Sequence, residues 1–143
     1  GGETYPRLSF VSAKVVRERP EFSVVILTHP AGEIVLPGSG FREGDAVRVA
    51  IAATNVALAT EEPRGLSVRT RLKGRVAGID HGEGPSVHVT VELAGGDRIV
   101  ALLTRLAVAD LGLKVGRDVF ALVKAVAIDE TAVGTLRRNQ AAR

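Results

Sequence analysis

The sequence at residues 86–104 is SVHVTVELAGGDRIVALLT. Polar and apolar side chains alternate from Ser86 to Leu93, which is the pattern of a β-strand with one buried face. Gly95-Gly96 follows as a tight turn, and Arg98–Thr104 is a second apolar run that returns beside the first. This stretch therefore predicts a β-hairpin, and most of the chain repeats its pattern.

Other strands are predicted on both sides of this hairpin, from runs of β-branched residues bounded by Gly, Pro and Asp. These runs lie at residues 8–16, 22–28, 33–37, 45–58, 67–79 and 119–128. One short helix is expected at Arg105–Leu111, with Thr104 as its N-cap and Gly112 as its C-terminal stop. The chain is therefore expected to be all-β with one short helix.

The two halves of the chain are related by an internal repeat. Glu33-Ile34-Val35 matches Arg98-Ile99-Val100, and Gly44 matches Gly116. Each copy has about five short strands, which suits a small closed barrel of the OB type. We therefore predict two tandem OB-like five-stranded barrels. The predicted segments are an entry segment at 1–7, the first barrel at 8–60, a linker at 61–65, the second barrel at 66–130 and a polar tail at 131–143.

Composition excludes several classes of protein. The 143 residues are 45% apolar and 24% charged, with a formal net charge of +3 and no Cys, Met or Trp. That apolar fraction is typical of a folded protein, and no run approaches the ~18 apolar residues of a membrane span. The absence of Cys excludes disulfides and thiolate sites. Because the chain begins Gly1-Gly2 without Met or a signal sequence, we interpret it as a cytoplasmic piece of a longer protein.

Signatures of an enzyme are missing from the sequence. It has no phosphate-binding P-loop, no dinucleotide fingerprint and no nucleophile elbow. His29, His81 and His88 lack the spacing of metal ligands, and the first two are expected in solvated turns. Aromatic residues make up only 3% of the chain, too few for the stacking surface of a single-strand nucleic-acid binder. We therefore predict neither catalysis nor a metal, a cofactor or a nucleic-acid partner.

Cations concentrate in the second copy. Residues 67–75 read SVRTRLKGR, and strand alternation places Ser67 and four cations on one face. Such a face is hydrated, protects a sheet edge or meets an anion. Lys124, within the apolar run ALVKAVA, and the hydroxyl of Thr104 are further candidate anion ligands. An exposed strand position and a plain N-cap would also explain these two residues.

Two long segments carry a resemblance to a known family. SVRTRLKGRVAGI (67–79) and VALLTRLAVADLGLKVGRDVFALVKAVAI (100–128) resemble the molybdate-binding Mop module of the TOBE class of domains. With THPAGEIVLPG (28–38), the first half is similar to the tandem domain at the C-terminus of the ATP-binding subunit of molybdate importers. The first motif of the family usually reads Ser-Ala-Arg-Asn, so Thr70 stands where Asn is usual.

The resemblance implies two OB-like barrels that form a homodimer and bind molybdate or tungstate at subunit interfaces. A tetrahedral dianion needs hydroxyl and amide donors together with one or two cations. By resemblance, Val68 and Ala125 contribute their backbone. The implied oxyanion ligands are Ser67, Val68, Arg69, Thr104, Lys124 and Ala125. Since Ala52 aligns with Lys124, the first barrel is not expected to hold a complete site.

The resemblance also implies a role in transport regulation. It suggests a cytoplasmic domain of an importer's ATPase subunit, peripheral to the inner membrane, that senses oxyanion and inhibits transport. Its partners would then be the ATPase domain and the membrane permease. The alternatives that the sequence leaves open are a molybdate storage protein, the effector domain of a molybdate-responsive repressor, an OB-fold nucleic-acid binder and a dimerisation scaffold without a ligand.

Overall fold

The structure, a computed structural model, describes residues 7–128 as two five-stranded antiparallel sheets with one α-helix. The strands are β1 (Leu8–Arg19), β2 (Val24–His29), β3 (Gly32–Pro37), β4 (Ala46–Ala52), β5 (Val56–Ala59), β6 (Thr70–Asp80), β7 (Ser86–Leu93), β8 (Arg98–Thr104), β9 (Asp118–Val123) and β10 (Ala127–Ile128), and the helix is α1 (Arg105–Asp110). The sheets have the strand orders β10-β4-β1-β2-β3 and β5-β9-β6-β7-β8. The predicted fold class, all-β with two OB-like five-stranded units and one short helix, is confirmed. The tail at 131–143 and all of the entry segment except Arg7 lie outside the described residues.

Alternation of side chains produces these strands, as the hairpin at 86–104 shows. In β7 every second side chain, beginning at Val87, is buried, and the polar residues between them are not. The hairpin pairs Ser86 with Thr104 and Glu92 with Arg98. One face of the sheet is therefore apolar, and burying that face drives the pairing.

The two sheets exchange their last strands, which the sequence did not predict. The apolar run 45–58 was expected to form one strand, but a 3₁₀ turn at Ala53–Asn55 divides it. β4 then pairs with β1, whereas β5 pairs with β9 in the other sheet. The run 119–128 divides in the same way, and β10 pairs with β4. Those two single-strand predictions were wrong, and the division at 61–65 stays a prediction because both sheets take strands from each side of it.

Buried hydroxyls join the two copies of the repeat. Thr70 Oγ1 accepts a hydrogen bond from the Val35 N–H at 3.0 Å, and Ser9 Oγ accepts one from the Val100 N–H at 3.2 Å. Ser9 and Thr70 lie near the beginning of the first strand of each copy, and the two N–H groups lie on the third strands, so the two contacts are equivalent. Buried side chains of both sheets form one continuous core.

Contact between the two hairpin turns corrects the expectation for His29. Its side chain is only 1% exposed, and its Nε2 lies 2.8 Å from Asp97 Oδ2. The Ala31 N–H donates to Nδ1 at 2.9 Å, so Nε2 carries the proton of a neutral ring. Beside it, a Cβ added at Gly95 would lie 2.7 Å from the Cβ of Pro30. His29 is therefore a buried contact between the two copies and is not a solvated turn residue.

The helix α1 begins and ends where its caps predict. Thr104 Oγ1 accepts a hydrogen bond from the Ala107 N–H at 3.0 Å, which confirms it as the N-cap. At the other end, the Gly112 N–H bonds to the Ala109 carbonyl and the Leu113 N–H to that of Val108. With Gly112 at φ +60°, this pair of bonds is a Schellman motif. Within residues 7–128, no helix has the length and apolar character that crossing a membrane requires.

Candidate functional site

Strand register brings two of the predicted ligand segments together. Thr70, at the start of β6, pairs with Val123, at the end of β9. Residues 67–69 lead into that pair, and residues 124–125 leave from it. The register therefore brings Arg69 and Lys124 to the same end of the second sheet.

The segment 67–69 lies on the surface just before β6 begins. Ser67 and Arg69 are exposed, and Val68 is half-buried. An Arg69 guanidinium nitrogen (Nη2) donates to the Leu66 carbonyl at 2.6 Å, which folds the side chain back along its own segment. Thr70 is 3% exposed and turned into the core. Thr70, at the position where the family usually has Asn, is therefore a structural contact here, whereas Ser67 and Arg69 are exposed.

The segment 124–125 also lies on the surface, outside the strand in which the sequence placed Lys124. Lys124 follows β9, and its N–H donates to the Asn55 carbonyl at 2.9 Å. Its side chain is exposed, so it is not a cation buried within an apolar strand. In the described part of the chain, the backbone N–H groups of Val68 and Ala125 donate to no other group. Two amide donors and two cations therefore lie at this end of the sheet.

Thr104 lies at the opposite end of the same sheet. It pairs with Ser86, and Asp80, the last residue of β6, pairs with His88 nearby. β6 has 11 residues, which span roughly 30 Å in a strand. Within one chain, therefore, the Thr104 hydroxyl does not join the group at Arg69 and Lys124.

The first copy has apolar residues at the corresponding positions. Leu8 pairs directly with Ala52, as the repeat relates them to Arg69 and Lys124. Both side chains border a surface groove of about 420 Å³, which also contains Phe10, Ala125 and Ile128. Leu8 is 50% exposed and Phe10 is 43% exposed. The sequence gives no sign of this groove, because its residues come from three separate strands and from the segments between strands.

The cationic face predicted on β6 is partly compensated. Arg71 and Lys73 line a cavity of about 260 Å³ together with Glu33 and Glu62. Arg71 Nη1 also donates to the Pro63 carbonyl at 3.0 Å, which holds the 61–65 segment against the sheet. These two cations therefore have structural neighbours. No carboxylate among residues 7–128 forms a salt bridge with Arg69 or Lys124.

Other chemistries have no visible site in the described part of the chain. Across residues 7–128, no three His, Asp or Glu side chains gather closely enough to hold a metal ion. A backbone hydrogen bond and the neighbouring Arg19 lower the carboxyl pKa of Glu21 below its ordinary value. Glu21 lies beyond the far end of β1 from Leu8, away from the Arg69 and Lys124 group. The arrangement at 67–69 and 124–125 is thus the best candidate for a ligand site.

Comparison with known proteins gives a family match for the second half of the chain and relatives along most of its length. Residues 66–129 match the family model for the TOBE domain. The chain is 38% identical over 124 residues to the molybdenum import ATP-binding protein ModC of Mesorhizobium japonicum, covering 87% of this chain and 33% of that protein. It is 44% identical over 108 residues to ModC of Brucella abortus, covering 71% of this chain and 30% of that protein. The chain thus spans about a third of the length of these relatives.

A solved structure also resembles the whole described fold. ModG, a cytoplasmic molybdate-binding protein crystallised with molybdate bound, superposes with a TM-score of 0.70 at 25% sequence identity. The match covers 90% of this chain and 99% of ModG. The fold and the site thus define a tandem β-domain with OB-like units. The second half of the chain thus matches the TOBE family, and the chain as a whole is similar to ModC proteins and to ModG.

Proposed function

We propose that this chain binds molybdate or tungstate at the end of β6 and β9. The observation that carries the proposal is the Thr70–Val123 register, which sets residues 67–69 beside residues 124–125. Ser67 supplies a hydroxyl donor, Val68 and Ala125 supply backbone N–H groups, and Arg69 and Lys124 supply charge. Charge-assisted hydrogen bonds of this kind suit a tetrahedral dianion. Support comes from the ModG and ModC relatives, whose names refer to molybdate or molybdenum.

We propose further that each site is completed by Thr104 of a second copy. Its hydroxyl oxygen already accepts from the Ala107 N–H, but the hydroxyl proton stays available for an oxyanion. Because Thr104 lies at the other end of its own sheet, it can reach Lys124 only across a contact between two chains. A twofold homodimer then holds two equivalent sites, each using one second barrel and one partner helix.

The first copy does not form a site of its own. A dianion at the Leu8–Ala52 pair would meet apolar side chains where the second copy has a guanidinium and an ammonium group. Burying a charge without a counter-charge or donors is costly. We therefore expect one oxyanion for each chain in the dimer.

Calorimetric titration tests this assignment. Lys124→Ala should weaken molybdate binding by 10- to 150-fold, since a hydrogen bond to a charged group contributes roughly 1.5–3 kcal/mol. Thr104→Val should cost less, because a neutral hydrogen bond contributes roughly 0.5–1.5 kcal/mol. Lys114→Ala removes an exposed lysine between α1 and β9 and is the matched control. Equal affinity for the control and Lys124→Ala would overturn the site.

The selectivity of the site between molybdate, tungstate and sulfate can be measured on the same sample. Molybdate and tungstate are larger than sulfate but have the same shape and charge, so fixed donors at one spacing should favour the two metal oxyanions. Titration with sulfate should give clearly weaker binding. Equal affinity for sulfate would reduce the site to a general anion patch, and binding of single-stranded DNA in its place would favour the nucleic-acid alternative.

Mixing two defective variants tests whether the site lies between chains. Thr104→Val and Lys124→Ala homodimers each carry two impaired sites. After unfolding and refolding together, a mixed dimer has one site with both native residues and one with neither. High-affinity molybdate binding should return at one site for each mixed dimer. A mixture that binds no better than its parents would place both residues in one chain and contradict the interchain site.

We propose that oxyanion binding here regulates an importer through an attached ATP-binding subunit in the cytoplasm, with a membrane permease as the further partner. The support is the similarity to ModC proteins, of which this chain spans about a third. Regulation requires that the ligand binds the inactive arrangement more tightly. In the parent subunit, molybdate should therefore inhibit ATP hydrolysis, and Lys124→Ala should abolish that inhibition while leaving ligand-free ATP hydrolysis unchanged.

A storage or buffering role is the second candidate, because the fold matches nearly all of the free-standing ModG chain. That role predicts molybdate binding without any effect on ATP hydrolysis. The same assay on the parent subunit therefore separates the two functions.

A further inference from the structure

Two arginines hold residues 61–66, the segment that precedes the proposed oxyanion ligands, in place. Arg69 Nη2 donates to the Leu66 carbonyl at 2.6 Å, and Arg71 Nη1 donates to the Pro63 carbonyl at 3.0 Å. No backbone–backbone hydrogen bond joins this segment to another described residue. Segments with few backbone hydrogen bonds open at a low cost in free energy. In the described structure, the two guanidinium groups therefore make the hydrogen bonds that fix residues 61–66.

Arg69 is also one of the two cations of the proposed oxyanion site, so two acceptors compete for its guanidinium. A dianion attracts a guanidinium more strongly than a neutral carbonyl does, because both groups carry full charge. Arg69 lies at the same end of the second sheet as Lys124, and its exposed side chain is folded back toward Leu66. An oxyanion held by Lys124 and Ala125 would therefore draw Arg69 away from the Leu66 carbonyl.

Two carboxylates lie near the same guanidinium. Arg69 lines the cavity of about 260 Å³ that Glu33, Glu62 and Arg71 also line. Glu62 belongs to residues 61–66, and Glu33 lies on β3 of the first sheet. In the described part of the chain, neither carboxylate forms a salt bridge with Arg69, so their attraction acts across the cavity. Both carboxylates therefore stabilise the ligand-free position of Arg69 and weaken the binding of a dianion nearby.

We propose that residues 61–66 compete with the oxyanion for Arg69. The competing groups are the Leu66 carbonyl and the Glu62 carboxylate. This inference rests on the proposed function, in which Arg69 binds the oxyanion. When the site fills, Arg69 turns to the oxyanion, and only the hydrogen bond from Arg71 still holds the segment. The segment is thus loosened by the ligand, and Glu62 determines the affinity of the site without contacting the ligand.

Calorimetric titration of the full chain with molybdate tests the competition. Glu62→Gln keeps the size of the side chain and removes its charge, so molybdate should bind about two- to fivefold more tightly, the effect of an exposed charge pair. Glu61→Gln is the matched control, because Glu61 is exposed beside Glu62 but does not line the cavity. It should leave the affinity unchanged. Equal affinity of the two variants would overturn the competition.

Limited digestion with trypsin tests the loosening. Trypsin cuts after arginine, and the exposed Arg64 lies within residues 61–66. Saturating molybdate should speed this cut about tenfold in wild type, since the segment loses one hydrogen bond to a charged group. In Arg69→Gln the cut should be fast with and without molybdate. Mass spectrometry identifies the cut by its fragments, 1–64 and 65–143. A wild-type cut that molybdate leaves unchanged or slows would overturn the loosening.

The outcomes also separate this inference from the proposed function. If molybdate binds wild type and binds Lys124→Ala more weakly, but either the Glu62→Gln affinity or the cut after Arg64 gives the contrary result, the inference is overturned and the proposed function stands. If both give the expected result, the inference is supported. A wild type that binds no molybdate gives a flat titration and overturns both.

Discussion

Two hydroxyl groups perform the same structural task in the two copies of the repeat. Ser9 and Thr70 each accept a hydrogen bond from a backbone N–H of the other copy's third strand. Both residues are buried, at 9% and 3% exposure. A buried N–H that loses its acceptor keeps the cost of its lost hydration. Each hydroxyl therefore stabilises the contact between the two copies, because it gives an acceptor to an N–H group that would otherwise have none.

Replacing Thr70 with Val should reduce the free energy of unfolding by about 1–3 kcal/mol, because Val keeps the shape but leaves the Val35 N–H without an acceptor. Urea unfolding measures the change. Thr28→Val, at an exposed position of β2, is the control and should change stability by less than about 0.5 kcal/mol. Thr70→Ser should recover part of the loss because it restores the hydroxyl. A loss of the same size at both threonines would contradict this role for Thr70.

The stability of the helix α1 depends mainly on the capping of its two ends. It has six residues, too few to be stable in isolation. Its N-terminus is capped by Thr104, and its C-terminus turns at Gly112, where a positive φ allows two closing hydrogen bonds. The two caps fix the position of Thr104 at the end of β8.

Gly112→Ala should destabilise the protein by about 1–2 kcal/mol, because a Cβ is strained in the left-handed region. No heavy atom lies within 4 Å of that Cβ position, so the cost is conformational and is not a clash. Gly84→Ala is a matched control, since Gly84 also has open space around it but no positive φ. Thermal unfolding should show Gly84→Ala as neutral or slightly stabilised. Equal destabilisation by the two substitutions would exclude backbone strain as the cause.

Local patterns predicted most of the elements, and long-range pairing explains what they missed. Alternation located the hairpin at 86–104, and cap chemistry located α1. The 3₁₀ turn at Ala53–Asn55 has no such signal, since the apolar run continues through it. Burial of His29 depends on Asp97, which lies 68 residues away. Cation content and family resemblance suggested residues 67–69 and 124–125 as site residues. Only the strand register shows that these two segments lie at the same end of the sheet and that Thr104 lies at the opposite end.

At the scale of the whole molecule, the exchange of β5 and β10 makes each sheet incomplete without the other copy. The second sheet takes β5 from residues 56–59, and the first takes β10 from residues 127–128. One continuous core lies beneath both sheets. The two copies should therefore fold and unfold as one cooperative unit, although the sequence reads as a tandem repeat.

Separated halves of the chain test this cooperativity. Residues 65–143 alone leave β9 without its β5 neighbour, so this fragment should not fold as a stable monomer. Adding residues 1–64, which contain β5, should restore a folded complex with one unfolding transition. Circular dichroism and size-exclusion chromatography measure both effects. A monomeric 65–143 fragment that unfolds cooperatively on its own would contradict the prediction.

The exchanged strands also determine how this domain can transmit a force. Turning one copy of the repeat against the other would break the backbone ladders of both β5 and β10, besides the His29–Asp97 contact. Such a rotation costs far more than a shift of surface loops. We therefore expect residues 7–128 to move as one rigid body.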